Sequence, residues 1–171
     1  MVIWLIGISG SGKSTLGEKL KNHFDSRQIP AFRIDGDSVR KFFDNDLGYS
    51  REDRMENIKR ILLSAHVLSQ CGIRVIVCNI HPFEELRRFA RNKIPGYNEI
   101  YLKKNIDRSM AEDVRNVYRS QKGKTPLVGI DLAFDEPGQS DLILETDRET
   151  PDASFKRIIA FLESKYPELK K

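Results

Sequence analysis

The chain has 171 residues, 39% hydrophobic and 32% charged, with 29 Lys and Arg against 25 Asp and Glu for a formal net charge of +4. That length suits one domain spanning residues 1–171, with a core that needs neither disulfide nor structural metal, and the mild positive excess is not the one-sided field of a nucleic-acid binder. No apolar stretch approaches the roughly 18 residues of a membrane span, and Met1-Val2-Ile3-Trp4-Leu5-Ile6 carries neither a basic segment nor a cleavage site, so the expectation is a cytoplasmic protein without membrane or nucleic-acid partners.

The apolar run at residues 2–6 reads as a strand buried on both faces, and it leads into Gly7-Ile8-Ser9-Gly10-Ser11-Gly12. Leu16, Leu20 and Phe24 then recur at helical spacing, so the glycine-rich loop opens a helix that ends before Pro30. Residues 31–35 predict a second strand and Asp35-Gly36-Asp37 a turn. Ser50-Arg51-Glu52-Asp53 has the form of a capping box opening a long helix to about Gln70. A third strand is expected at residues 73–79, a helix from Pro82 to about Lys93, a fourth strand at residues 99–102 and a helix from Asp107 to about Tyr118. Residues 120–139 hold Gly123, Pro126, Gly129, Pro137 and Gly138 with little periodicity, which predicts a long functional loop. A fifth strand at residues 141–145 and a helix capped by Thr150-Pro151 complete the chain. Strands alternating with helices predict an α/β three-layer sandwich around a five-stranded parallel sheet.

Gly7-x-x-x-x-Gly12-Lys13-Ser14 satisfies the P-loop pattern between a predicted strand and a predicted helix, the context such a match requires. The loop residues Gly7, Ser9, Gly10, Ser11 and Gly12 can turn backbone N–H groups onto phosphate oxygens, assisted by Thr15 and the helix N-terminus. Lys13 can span the β- and γ-phosphates of ATP, and the Ser14 hydroxyl can ligate Mg²⁺. A switch GTPase would show Asn-Lys-x-Asp, whereas Lys104-Asn105-Ile106-Asp107 has the wrong order; a large motor ATPase would end its third strand on an acid, not on Asn79. A small-molecule kinase remains. Asp35 and Asp37 follow the second strand and so share the rim with the phosphate loop, where a carboxylate can orient an attacking hydroxyl. Arg54 and Asn57, three apart at the start of the long helix, present a cation and an amide on one face.

The segments Gly7-Ile8-Ser9-Gly10-Ser11-Gly12-Lys13-Ser14-Thr15, Asp35-Gly36-Asp37-Ser38-Val39-Arg40, and Asp46-Leu47-Gly48-Tyr49-Ser50 followed by Asp53-Arg54-Met55-Glu56-Asn57-Ile58, resemble adenylylsulfate kinase in order and spacing. Weaker similarity continues through His81-Pro82-Phe83, Asp113, Tyr118, Gly129-Ile130-Asp131 and Glu136-Pro137. The resemblance implies transfer of the γ-phosphoryl group of ATP to the ribose 3′-hydroxyl of adenylylsulfate, giving 3′-phosphoadenylylsulfate, with Mg²⁺ and a mobile lid at about residues 113–138. It further implies that Asp35, Asp37, Arg40, Arg54 and Asn57 hold or activate the acceptor nucleotide, with Tyr49 stacking on its base.

Departures from the family pattern lie at three places. His81-Pro82-Phe83-Glu84 replaces Ser-Pro-Tyr-Arg, which makes His81 a candidate contact for the acceptor's anionic group. The lid pattern Arg-Asp-x-Lys-Gly-Leu-Tyr becomes Glu112-Asp113-Val114-Arg115-Asn116-Val117-Tyr118, so the first arginine is absent while Arg115 and Arg119 offer substitutes toward ATP. In Thr125-Pro126-Leu127-Val128-Gly129-Ile130, Leu127 replaces the second aromatic ring of a base sandwich; Leu127 and Ile130 are then the acceptor-side residues of that segment. Losing one stacking partner leaves open a second acceptor class known in the family, cytidine diphosphoramidate of capsule biosynthesis. A nucleotide-binding sensor that closes its lid without chemistry is an alternative of another kind, and the oligomeric state, a homodimer included, is open. His23 and His66 read as structural, Arg87, Arg88 and Arg91 as a solvated helix face, Lys122 and Lys124 as lid cations, and Cys71 and Cys78 as thiols without assigned chemistry.

Overall fold

In a computed structural model that describes residues 1–113, 118–119 and 125–170, the apolar runs of the sequence become one parallel sheet. Its strands are β1 (Val2–Ile6), β2 (Ala31–Asp35), β3 (Arg74–Cys78), β4 (Tyr97–Lys103) and β5 (Leu142–Glu145), in the order β2-β3-β1-β4-β5. β1 lies at the centre, with Ile3 paired to Ile76 on one side and to Asn98 on the other. All five of its residues are buried, as expected of a strand covered on both faces.

Alternation along the strands divides the core into two layers. Val2, Trp4, Ile6, Val75, Val77 and Tyr101 face Ile58, Ile61 and Ala65 of α3 (Arg51–Gln70) and Leu86 and Ala90 of α4 (Glu84–Lys93). Ile3, Leu5, Ile76, Ile100 and Leu144 face Leu16, Leu20 and Phe24 of α1 (Lys13–Ser26) and Ile158 and Leu162 of α6 (Pro151–Lys165). Parallel strands need crossover helices, and these cover both faces, giving the predicted three layers.

Local chemistry sets the element ends. Ser50 and Asp53 close a reciprocal capping box on α3, and Thr150 caps α6 ahead of Pro151. The expected turn at residues 35–37 is instead the start of a short helix, α2 (Gly36–Phe42), whose N-cap is Asp35. The helix expected from Pro82 begins only at Glu84, because His81 adopts φ 51 and Phe83 is extended. Asn105 caps α5 (Ile106–Glu112), whose oxygen accepts from the Asp107 and Arg108 amides; Asp113 ends it at φ 21, short of the predicted Tyr118. β4 begins two residues before its predicted start.

Because all strands run the same way, their carboxyl ends form one rim. The chain leaves β1 toward β2 on one side of the sheet and later crosses to β4 on the other, so strand order reverses at the end of β1, where parallel α/β sheets open a crevice. No helix among the described residues is long and apolar enough to cross a membrane.

Candidate active site

The crevice is a cleft of about 530 Å³ at this rim. Its floor is the turn from β1 into α1, where Gly7, Gly10 and Gly12 all have positive φ. Gly7 tolerates no side chain: a Cβ there would lie 2.5 Å from the Leu102 carbonyl oxygen. Lys13 Nζ donates to the Gly7 and Ile8 carbonyls at 2.8 and 2.6 Å and lies 3.4 Å from Ser11 Oγ, which holds the ammonium over the loop. Ser9, Gly10, Gly12, Lys13, Ser14 and Thr15 line the cleft; Gly7 and Ser11 are buried and shape the loop from behind.

Opposite the loop stand the residues of α2 and α3. Asp35 Oδ1 accepts from the Asp37 amide at 3.1 Å, which starts α2, and both carboxylates line the cleft. Arg40 is buried and donates to the carbonyls of Leu47 and Gly48, placing its guanidinium 4.7 Å from the Tyr49 ring centroid. Arg54 lies 5.2 Å from the same ring and donates to the Tyr49 carbonyl and, at 2.6 Å, to the Pro126 carbonyl. Burial, and after it the Arg40 charge, lowers the Arg54 pKa. Asn57 is buried and borders the cleft; its Nδ2 donates to the Gly36 carbonyl, while its buried Oδ1 has no partner among the described residues.

Described residues of the segment expected to form a lid line the third side. Asp113 accepts from the amides of Tyr118 and Arg119, and Tyr118 Oη donates to the Ser9 carbonyl at 3.0 Å, so this segment is tied to the phosphate loop. Burial first, then Asp113, raises the Tyr118 pKa. Farther on, a turn in which the Leu127 amide donates to Asp131 sets Leu127 and Val128 on the cleft wall. Arg119 is exposed and off the cleft lining, whereas Arg115, Lys122 and Lys124 lie outside the described residues.

Several expectations need correction. His81 does not reach the cleft: it is fully buried, its ring stacks on Trp4 with centroids 4.6 Å apart, and both ring nitrogens lack partners among the described residues. Burial, reinforced by the Arg87 charge, pushes its pKa down to about 3, so it is a neutral packing residue. Ile130 is 47% exposed and does not line the cleft, whose wall from this turn ends at Val128, just before Gly129 (φ 90). Arg87 is not solvated but 1% exposed, donating to the carbonyls of His81 and Asp135 and to Glu84. Arg91 pairs with Glu99 and Asp141, and Arg88 alone of the three matches the solvated expectation. His23 packs on Phe24 and Phe155, the structural role expected of it. Among cleft residues missed from sequence, Asn79 could have been suspected at the end of a central strand; Lys104 carried no motif signal.

Ser14 brings a hydroxyl to the start of α1, with Asp35 and Asp37 on the same cleft, and no cluster of three or more His, Cys, Asp or Glu forms a metal cage among the described residues. This oxygen donor set suits a hard divalent cation that takes most of its ligands from nucleotide phosphates and water, as Mg²⁺ does.

A phosphate loop at the strand-order reversal of a parallel sheet covered on both faces defines a P-loop NTPase. The comparisons with known proteins are more specific. The family model for adenylylsulphate kinase matches residues 1–145. The adenylyl-sulfate kinase of Pseudomonas aeruginosa is 38% identical over 170 residues, 97% of this chain and 87% of the relative; that of Oceanobacillus iheyensis is 33% identical over 168 residues, 96% of this chain and 84% of the relative. The structure of the Mycobacterium tuberculosis APS kinase CysC in complex with AMPPNP and APS superposes with a TM-score of 0.87 at 31% identity, covering 95% of this chain and 96% of that one. The chain belongs to the adenylylsulfate kinase family, whose members are ATP-dependent kinases.

Proposed function

We propose that this chain transfers the γ-phosphoryl group of ATP to the ribose 3′-hydroxyl of adenylylsulfate, producing 3′-phosphoadenylylsulfate for sulfate assimilation. The observation that carries the reading is that one cleft joins the phosphate loop to Asp35, Asp37, Arg40, Arg54 and Asn57. A donor nucleotide on the loop would then meet an acceptor held by two cations and the Asn57 amide. The Mycobacterium tuberculosis relative, solved with AMPPNP and APS, supports two nucleotides in such a cleft.

The chemistry is mainly positioning and electrostatics. Lys13 and the loop amides would bind the β- and γ-phosphates and offset charge on the transferred group. Asp35 or Asp37 would orient the 3′-hydroxyl and accept its proton as the oxygen attacks the γ-phosphorus, while the bond from that phosphorus to the β,γ-bridging oxygen breaks and ADP leaves. Asp35 commits one oxygen to capping α2, which fixes the direction of the other. Ser14 would hold Mg²⁺, which supplies charge neutralisation at the phosphates when bound. Tyr49 would stack on the acceptor base, with Leu127 an aliphatic contact across the cleft and Arg115 and Arg119 candidate cations of the lid.

A mass-spectrometric acceptor assay tests the proposal: Mg²⁺-ATP is offered with adenylylsulfate beside cytidine diphosphate-linked nucleotides, and one added phosphoryl group is scored. Phosphorylated adenylylsulfate is expected. The relatives are adenylylsulfate kinases and lend the cytidine class no support; transfer to a cytidine nucleotide alone, or to no acceptor, would overturn the proposal.

A further inference from the structure

A second cation stands at the outer edge of the phosphate loop. Lys104 follows β4 with its side chain only 10% exposed, and its Nζ donates to the Gly10 carbonyl at 3.2 Å and to Glu112 Oε2 at 2.5 Å. Arg108 Nε donates to the other Glu112 oxygen at 3.0 Å, and its Nη1 to the Asp147 carbonyl at 2.6 Å. Lys104 and Arg108 thus share the one Glu112 carboxylate beside a loop shaped for phosphates.

The ammonium carries three N–H donors, and its described acceptors are the Gly10 carbonyl and the Glu112 carboxylate, so a donor remains for an oxygen outside the protein. Lys104 also lies where two clefts meet. It lines the large cleft and a smaller one of about 150 Å³, whose walls include Gly12, Thr15, Thr146 and Pro151. An ion pair that only stapled α5 to the sheet would need neither the bond to the loop carbonyl nor a place on both walls.

We propose that Lys104 is an ATP-positioning cation: held by Glu112, its ammonium braces the Gly10 peptide and gives its remaining N–H to a phosphate oxygen of ATP. Glu112 stands where the lid pattern has an arginine, and in this chain the carboxylate draws a lysine from the end of β4 into that neighbourhood. Positive charge thus reaches the donor side from the sheet rim, in addition to the candidate cations of the lid. The assignment rests on ATP occupying this cleft, as proposed above.

Calorimetric binding of Mg²⁺-AMPPNP without acceptor isolates this role from acceptor choice. Lys104→Met is expected to bind about tenfold more weakly than the unaltered chain, Lys104→Arg within about threefold of it, and Lys104→Met/Glu112→Arg to regain most of the loss. Circular dichroism checks the fold of each, and Lys104→Gln is read the same way should the methionine variant not fold. Affinity of Lys104→Met within about twofold of the unaltered chain, or no recovery in the double variant, would overturn the assignment. Failure of the unaltered chain to bind AMPPNP would overturn the nucleotide reading itself.

Discussion

Lys13 and His81 show how one rim serves two kinds of side chain. Lys13 is half-buried and anchored to the Gly7 and Ile8 carbonyls, so its ammonium stays over the loop without closing the cleft. Lys13→Met keeps the stem and removes the charge; turnover should fall roughly a hundred- to a thousand-fold, as on loss of a group that stabilises transition-state charge. Steady-state kinetics with unchanged kcat would exclude the assigned role. His81, two residues beyond Asn79, belongs to the core. Its pKa lies near 3 in the fold against an ordinary 6.5, so between those values the unfolded chain binds a proton that the native state refuses. Stability should therefore decline as pH drops below about 6.5, with this residue adding up to ~1.4 kcal/mol per pH unit. Urea unfolding at pH 7, 6, 5 and 4 should show a shallower decline for His81→Phe, which also removes two buried nitrogens that have no partner among the described residues. Equal slopes would mean that His81 protonates inside the fold.

Among the elements, the packing of α1 on β3 carries the phosphate loop's position. A Cβ on Gly17 would lie 2.4 Å from Cys78 Sγ and 3.4 Å from Arg33 Cδ, so the helix approaches the strand as closely as a residue without a side chain allows. Gly17→Ala should destabilise by about 1–3 kcal/mol despite the gain of about 1 kcal/mol in helix propensity. In a Cys78→Ala background the same substitution should cost less, because the nearest atom is gone; thermal melts of the four chains give the coupling. Equal costs in both backgrounds would place the clash elsewhere. Gly17 drew no notice in the sequence because its helix was defined by Leu16, Leu20 and Phe24, which say how the helix faces the sheet but not how near it comes. The short α2 escaped for a related reason. Its opening Asp35-Gly36-Asp37 is equally an Asx turn and an N-cap, and only the following turn of helix distinguishes them.

For the molecule as a whole, the buried guanidinium of Arg87 joins segments far apart in sequence. It donates to the carbonyls of His81 and Asp135 and to Glu84, while the Asp135 amide donates to the Pro82 carbonyl. These bonds fasten the loop after β3, the start of α4 and the end of the lid segment beside the cleft. Arg87→Met would leave the buried His81 carbonyl without this donor and cut the tie to Asp135, and should cost about 1–3 kcal/mol in urea unfolding. Exposed Arg88→Met should stay within about 0.5 kcal/mol of the unaltered chain, and similar costs for both would deny Arg87 its organising role.

Apart from the short α2, the order of strands and helices was readable from residue spacing, as were the phosphate loop, the capping box on α3 and the placing of Arg54 and Asn57 together at the start of that helix. Periodicity, glycine placement and capping are local properties, and each is expressed within a few residues of chain. The burial of His81 and Arg87, the exposure of Ile130 off the cleft and the place of Lys104 beside Gly10 were not readable. They depend on which distant segment covers each side chain and on which carbonyls are left to be satisfied, and only the packed sheet with its crossover helices decides that.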